Sequence, residues 1–144
     1  MLVRYESSPA GRAALHHALE IARASCAELR VISVATHERV DIGCASCRKS
    51  AAIWNREMRS LAEEELAEAA SFVGPDEPVA YQVVRGQPGD AIREAAAQCN
   101  AWMIVLPTQP GRLRARRVSR LADGLRTAGD WEIAVAPAEV APCA

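Results

Sequence analysis

The C-x-x-C motif formed by Cys44 and Cys47 is the most reactive pattern in the sequence. Such a pair can chelate zinc, with His37 just upstream as a possible third ligand, or it can act as a redox dithiol. The motif lies close to the predicted start of a long helix, and Arg48 and Lys49 follow it. A helix N-terminus and neighbouring cations both lower the pKa of a thiol.

The spacing of the remaining cysteines weakens the metal interpretation. A structural zinc site needs four ligands, and the sequence has no second C-x-x-C motif. Cys99 is predicted near the end of a helix and Cys143 near the end of the chain. The motif also follows a second strand in a predicted loop over residues 36–49, which is not the thioredoxin position. We therefore interpret the pair as incidental loop cysteines, with a metal- or redox-sensing module as the alternative.

A second group of chemically active residues is a run of arginines in one segment: Arg112, Arg114, Arg116, Arg117, Arg120 and Arg126. Arginine binds phosphate bidentately, so the run can form an anion clamp. The helical spacing places Arg116 and Arg120 opposite an apolar stripe, which favours a solvated helix face. Arg112 and Arg114 lie at the end of a predicted loop over residues 108–113 and are the better clamp candidates. No aromatic residues alternate with the arginines, so nucleic-acid binding is not predicted.

Strand and helix patterns alternate along the chain in the order β-α-β-loop-α-β-α-β-α-β. Ser8 and Pro9 begin the first helix as N-cap and first helical residue. The long helix is predicted over residues 50–72, where Glu65 falls within the apolar stripe and is interpreted as a snorkelling side chain. Alternation with helical crossovers predicts an α/β fold with a five-stranded, mostly parallel sheet and helices on both faces.

Composition limits the remaining possibilities. The chain has 144 residues and a net charge of −1, so we expect a single domain over residues 1–144 with no general affinity for polyanions. It has no apolar run of membrane-spanning length and no signal-peptide pattern. The odd number of cysteines, 5, favours a reducing cytoplasm. No catalytic Ser/His/Asp order or paired-carboxylate motif is present, so no catalytic residue is predicted.

Several segments together resemble the universal stress protein family. The opening segment 2–9 is similar to the family's first strand, acidic residue, small residue and serine. Residues 12–22 are similar to its first helix and 27–34 to its second strand. Residues 84–92 and 104–105 are similar to its third and fourth strand regions. The resemblance implies the adenine-nucleotide alpha-hydrolase-like fold, a stress-response role and a homodimer.

The resemblance also shows where the chain departs from the nucleotide-binding members. Those members carry G-x2-G-x9-G followed by Ser or Thr after the fourth strand, and the glycines let backbone N–H groups approach phosphates. This chain places non-glycine residues there, and Pro107 and Pro110 remove N–H donors. The residues at the motif positions are Leu106, Gln109, Ser119 and, at the hydroxyl position, Arg120.

The nucleotide or anion contacts that the resemblance implies, if any remain, include Glu6 at the position of the family's usual aspartate. The full set is Glu6, Ser7, Val34, Arg112, Arg114, Ser119 and Arg120. We predict a non-enzymatic regulatory module that works by binding a protein partner or a small ligand, does not bind ATP tightly and has no cofactor. The alternative is a nucleotide-binding protein that uses an arginine-rich loop for ATP or AMP.

The last strand carries the predicted dimer interface. Trp131, Ile133 and Val135 alternate with smaller or charged residues, and no proline interrupts them. The resemblance implies antiparallel pairing of residues 131–137 between two copies, which is an isologous contact. The alternative is a monomer in which the tail, residues 138–144, covers this edge.

Overall fold

Short apolar strands alternate with helices throughout the computed structural model, which describes residues 1–40, 42–108 and 110–136. Their bounds in chain order are β1 (Leu2–Arg4), α1 (Pro9–Ser25), β2 (Leu29–Ala35), α2 (Ala45–Phe72), β3 (Val79–Arg85), α3 (Pro88–Gln98), β4 (Met103–Leu106), α4 (Arg112–Ala128) and β5 (Glu132–Val135). Within the described ranges the strands form one parallel sheet in the order β3-β2-β1-β4-β5. The predicted five-stranded α/β fold is confirmed.

Two apolar cores cover the two faces of the sheet. Met1, Val3 and Tyr5 pack with α1 and the C-terminal half of α2 on one face. Leu2 and Ile104 pack with α3 and α4 on the other. Successive strand residues point to opposite faces, so strands this apolar require helices on both sides.

The start of α1 agrees with its sequence. The Ser8 side chain accepts a hydrogen bond from the N–H of Gly11 at 3.0 Å, and Pro9 is the first helical residue. Serine at the N-cap satisfies one of the four N–H groups that a helix leaves unpaired at this end. This cap fixes the turn that follows β1.

Two predicted boundaries were wrong, and both move residues with possible chemistry onto helices. Helix α2 begins at Ala45 rather than residue 50, with Cys44 as its N-cap. Helix α4 begins at Arg112, so the predicted loop over residues 108–113 ends two residues earlier and Arg112 is helical. The first turns of both helices are exposed and so lack the apolar periodicity that reveals a helix in sequence.

No helix in residues 1–40, 42–108 and 110–136 is both long enough and apolar enough to cross a membrane.

Candidate functional site

The candidate site is the edge of the sheet where the parallel strands end. Strand β1 lies between β2 and β4. The chain continues from β1 to β2 and β3 on one side of it, and then crosses to β4 and β5 on the other side. Ligands in open parallel sheets bind beyond the carboxyl ends of the strands at such a switch point. The segments after β1 and β4 therefore form the candidate binding site.

Two carboxylates of α2 bind the segment that follows β1, and we call this set of contacts the Glu65–Glu68 network. Glu65 accepts the backbone N–H of Ser7 at 3.2 Å with one oxygen and the hydroxyl of Ser33 with the other. Glu68 accepts the hydroxyl of Tyr5 at 3.0 Å and the hydroxyl of Ser7. The donors at the end of β1 are thus paired within the chain.

Arg12 extends this network to α1. Its guanidinium lies 3.3 Å from a carboxylate oxygen of Glu68, and it also lies over the ring of Phe72, 5.9 Å from the centroid. An ion pair and a cation–π contact on the same side chain fix α1 against the C-terminal end of α2.

The network changes the acidity of its members. Hydrogen bonds from Ser7 and then from Tyr5, together with the Arg12 charge, lower the pKa of Glu68. Burial raises the pKa of Tyr5, and the hydrogen bond to Glu68 raises it further. Glu68 is therefore held as a carboxylate and Tyr5 as a neutral donor at neutral pH.

Ser33 explains why a glutamate is found in the apolar stripe of α2. Ser33 is fully buried in β2, on the sheet face that α2 covers. A buried hydroxyl requires a hydrogen-bond partner, and Glu65 supplies it. The prediction that Glu65 snorkels was wrong. The signal in the sequence was a pair of anomalies, a serine within an apolar strand and a glutamate within an apolar stripe.

Glu6 folds back on its own turn. Its carboxylate accepts the hydroxyl of Ser8 at 3.2 Å and lies 3.7 Å from the guanidinium of Arg4. Gly11 packs directly on the backbone of Glu6, because a Cβ at Gly11 would lie 1.9 Å from the Glu6 carbonyl oxygen. The turn after β1 is therefore tightly packed against the first turn of α1.

The segment after β4 has a different character. Pro107 is buried, and the hydroxyl of Thr108 donates to the carbonyl of Ala136 beyond β5. The backbone N–H of Ala136 in turn donates to the carbonyl of Leu106 at 2.9 Å. Gln109, predicted at the second glycine position, lies outside the described residues.

The predicted anion contacts do not converge on this segment. Ser119 and Arg120 are exposed on α4. Ser119 lies seven residues after Arg112, which is about 10 Å along the helix axis from its N-terminus. A phosphate loop requires its hydroxyl at the helix start, so Ser119 and Arg120 are placed too far along the helix for that role. Val34 is half-buried and packs against the core on the α3 and α4 side.

Of the three predicted zinc ligands, the structure brings the two cysteines together but not His37. Cys44 and Cys47 lie at the start of α2 with their sulfurs 2.8 Å apart. His37 instead lines an open cavity of about 220 Å³ with Asn55 and Arg85. In the described part of the chain, no group of three or more His, Cys, Asp or Glu side chains could hold a metal ion.

Strand β5 lies at one edge of the sheet, as the sequence predicted. Trp131 and Ile133 are half-buried against the core formed with α3 and α4. Val135 is 40% exposed. The predicted interface residues are thus at an edge, although two of the three also pack inward; residue 137 and the tail lie outside the described residues.

The family model described as the universal stress protein family matches residues 1–129. This chain belongs to the universal stress protein family. A search of curated proteins gave no match.

Solved structures of universal stress proteins share the fold. UspA from Lactobacillus plantarum is 19% identical with a TM-score of 0.76, covering 94% of this chain and 95% of that one. A family protein from Burkholderia pseudomallei is 20% identical with a TM-score of 0.71, covering 95% and 94%. A universal stress protein in complex with cAMP is 18% identical with a TM-score of 0.64, covering 96% and 98%. At these identities the likeness concerns the fold alone.

Proposed function

We propose that this universal stress protein is a non-enzymatic regulatory module of the cytoplasmic stress response that does not bind ATP tightly. The observation that carries the proposal is the Glu65–Glu68 network. Both donors of Ser7, the backbone N–H and the hydroxyl, are paired with carboxylates of α2. A ligand that needs these donors must first displace charged partners.

Charge at the end of β1 opposes a polyphosphate. The carboxylates of Glu6, Glu65 and Glu68 all lie around the turn that contains Ser7, and ion pairs with Arg4 and Arg12 offset two of these three negative charges. Like charges at close range destabilise a bound anion, most of all one with several charges. The end of β1 therefore favours a neutral or cationic ligand over a triphosphate.

The segment after β4 does not supply the phosphate-binding donors that are already paired after β1. Pro107 and Pro110 have no backbone N–H, and Leu106 is buried where a phosphate loop has its first glycine. Gly111 has a positive φ of 97°, which glycine readily adopts. However, it is the N-cap of α4 and is out of register with the family motif. These features support the proposal that a triphosphate is not bound tightly here.

The second candidate is weak binding of a nucleotide with a single phosphate. The first turn of α4 has no acidic residue, its N-cap makes no side-chain hydrogen bond, and Arg112 and Arg114 lie there. Cations at the positive end of a helix are unfavourable unless an anion is nearby. The solved relative in complex with cAMP makes this nucleotide class worth testing.

Calorimetry with AMP and cAMP tests the second candidate. Binding that is lost in Arg112→Ala/Arg114→Ala and kept in Arg126→Ala would support it. Arg126 is the matched control, because it lies at the other end of α4 and pairs with Asp123 at 3.0 Å. No binding to the wild type would reject this candidate.

The module is further proposed to work as a homodimer through β5. An edge strand presents unpaired N–H and C=O groups, and pairing with a second copy satisfies them. Ile133→Pro and Val135→Lys should both yield monomer by light scattering, whereas Tyr81→Lys on the opposite edge strand β3 should remain dimeric. A wild-type monomer at micromolar concentration would overturn this interface.

Native mass spectrometry of the freshly purified protein tests the main proposal. We expect no ATP to co-purify. Stoichiometric ATP would overturn the proposal, and co-purified AMP or cAMP would favour the second candidate.

A further inference from the structure

The C-x-x-C motif lies at the start of α2 and not in a loop. Cys44 is the N-cap residue and Cys47 is in the first turn. The two sulfurs lie 2.8 Å apart, and both side chains are exposed. Two thiols in contact at an accessible helix N-terminus are placed for reversible chemistry with each other.

The surrounding backbone holds this pair in position. The N–H of Cys47 donates to the sulfur of Cys44 at 3.4 Å, and the guanidinium of Arg48 donates to the carbonyl of Gly43 at 3.0 Å. A Cβ on Gly43 would lie 2.9 Å from Val40 and 3.3 Å from the Cβ of Cys47. The segment before the helix therefore packs closely against the second cysteine.

The environment also favours the thiolate of Cys44. Hydrogen bonds from the Cys47 thiol, the Ser46 hydroxyl and the Cys47 backbone lower the pKa of Cys44 to about 7. The helix N-terminus acts in the same direction. Cys26 and Cys99 lie at the opposite ends of helices: Cys26 follows the C-terminus of α1, and Cys99 follows that of α3.

We propose that Cys44 and Cys47 form a thiol–disulfide exchange site that reacts with low-molecular-weight disulfides of the glutathione type. The proposal is independent of nucleotide binding. The exposed first turn of α2 makes the site accessible, and neither cysteine belongs to either core.

The reaction balances in two exchange steps. The Cys44 thiolate attacks one sulfur of the small disulfide, forms a mixed disulfide and releases one thiolate. The Cys47 sulfur then attacks Cys44, forms the intramolecular disulfide and releases the second thiolate. The protein gives up two electrons and two protons in all, and the small disulfide becomes two thiols. Excess small thiol reverses both steps.

A redox titration of the full-length wild-type chain tests the proposal. The reduced protein is equilibrated with mixtures of glutathione and its disulfide, quenched with acid, alkylated and mapped by mass spectrometry. We expect Cys44 and Cys47 to lose alkylation together, to be recovered as one linked peptide, and to return with excess glutathione. Cys47→Ser should instead retain glutathione on Cys44, because it lacks the second thiol. Cys26→Ser, which removes another exposed cysteine, should behave as the wild type.

Alkylation kinetics give a second readout that does not depend on any variant. A thiol with a pKa of about 7 is about half ionised at pH 7, whereas an unperturbed thiol is about 3% ionised, and lower nucleophilicity offsets part of the gain. Cys44 should therefore react about three- to fourfold faster than a cysteine in a short unstructured peptide. No Cys44–Cys47 link at any glutathione ratio, a link between other cysteines, or an ordinary alkylation rate at Cys44 would overturn the proposal.

Discussion

The segments after β1 and β4 lie at the same edge of the sheet, but their polar groups are used in opposite ways. After β1, Ser7 and its neighbours donate to Glu65 and Glu68, so their hydrogen bonds are made within the chain. After β4, Arg112 and Arg114 are exposed at the start of α4, and the helix they begin has no side-chain cap. The first segment is held in place by these hydrogen bonds, whereas the charged side chains of the second segment are exposed to solvent.

Under the proposed function, the fold keeps its shape without a tightly bound nucleotide. The donors after β1 are satisfied by residues on a helix that the fold already contains, which stabilises the turn in the absence of any ligand. The segment after β4 lacks backbone donors where prolines replace them. Each of the following changes acts on one segment and should leave the other unaffected.

Gly11→Ala should have the largest effect, because it acts on the backbone beneath the turn after β1. The new Cβ would lie 1.9 Å from the Glu6 carbonyl oxygen, so the turn or the helix must move. We expect a loss of about 3 kcal/mol or more in the free energy of unfolding, measured by urea denaturation. Gly124→Ala on α4 is the control, since nothing lies within 4 Å of its Cβ and alanine favours helices. A tolerated Gly11→Ala would show that the turn is not tightly packed.

Glu65→Ala should cause the next largest loss in the free energy of unfolding. It leaves the buried Ser33 hydroxyl and the Ser7 N–H without their partner, which costs about 1–3 kcal/mol. Glu64→Ala, an exposed neighbour on the same helix, should change stability by less than about 0.5 kcal/mol. Adding Ser33→Ala to Glu65→Ala should recover part of the loss; no recovery would contradict the assigned pairing.

The order of elements could be predicted from the sequence, because strand and helix periodicities are local patterns. The first helix cap at Ser8 was also predictable, since its partner lies three residues away. The pairing of Glu65 with Ser33 was not, because it joins residues 32 positions apart and appears locally only as two misplaced polar residues. The early start of α2 at Ala45 was missed because its first turn buries nothing.

Acidification should loosen the turn after β1 through Glu68. Its pKa is lowered in the folded state, so its stabilising contribution is complete above the unfolded value of about 4.3 and is lost as the pH falls through the lower folded value. The unfolding free energy of the wild type should therefore decrease more steeply below pH 5 than that of Glu68→Gln. Parallel curves for the two proteins, measured by denaturant titration from pH 6 to pH 3, would contradict the pairing.

Removing the cations after β4 should change the free energy of unfolding least, and should raise it. Arg112→Ala/Arg114→Ala removes positive charge from the N-terminus of α4, which should raise stability by about 0.3–1 kcal/mol per residue. Arg126→Ala should lower it slightly, because Arg126 lies in the last turn and pairs with Asp123. A destabilised double variant would mean that these arginines hold a partner within the folded protein.

Isothermal calorimetry of the wild-type protein with magnesium ATP tests the central claim most directly. Because the donors after β1 are paired with carboxylates and the segment after β4 lacks glycines in register, we predict a Kd weaker than about 1 mM, or less than about 4 kcal/mol of binding free energy. A saturable one-to-one isotherm with a low-micromolar Kd would contradict the account.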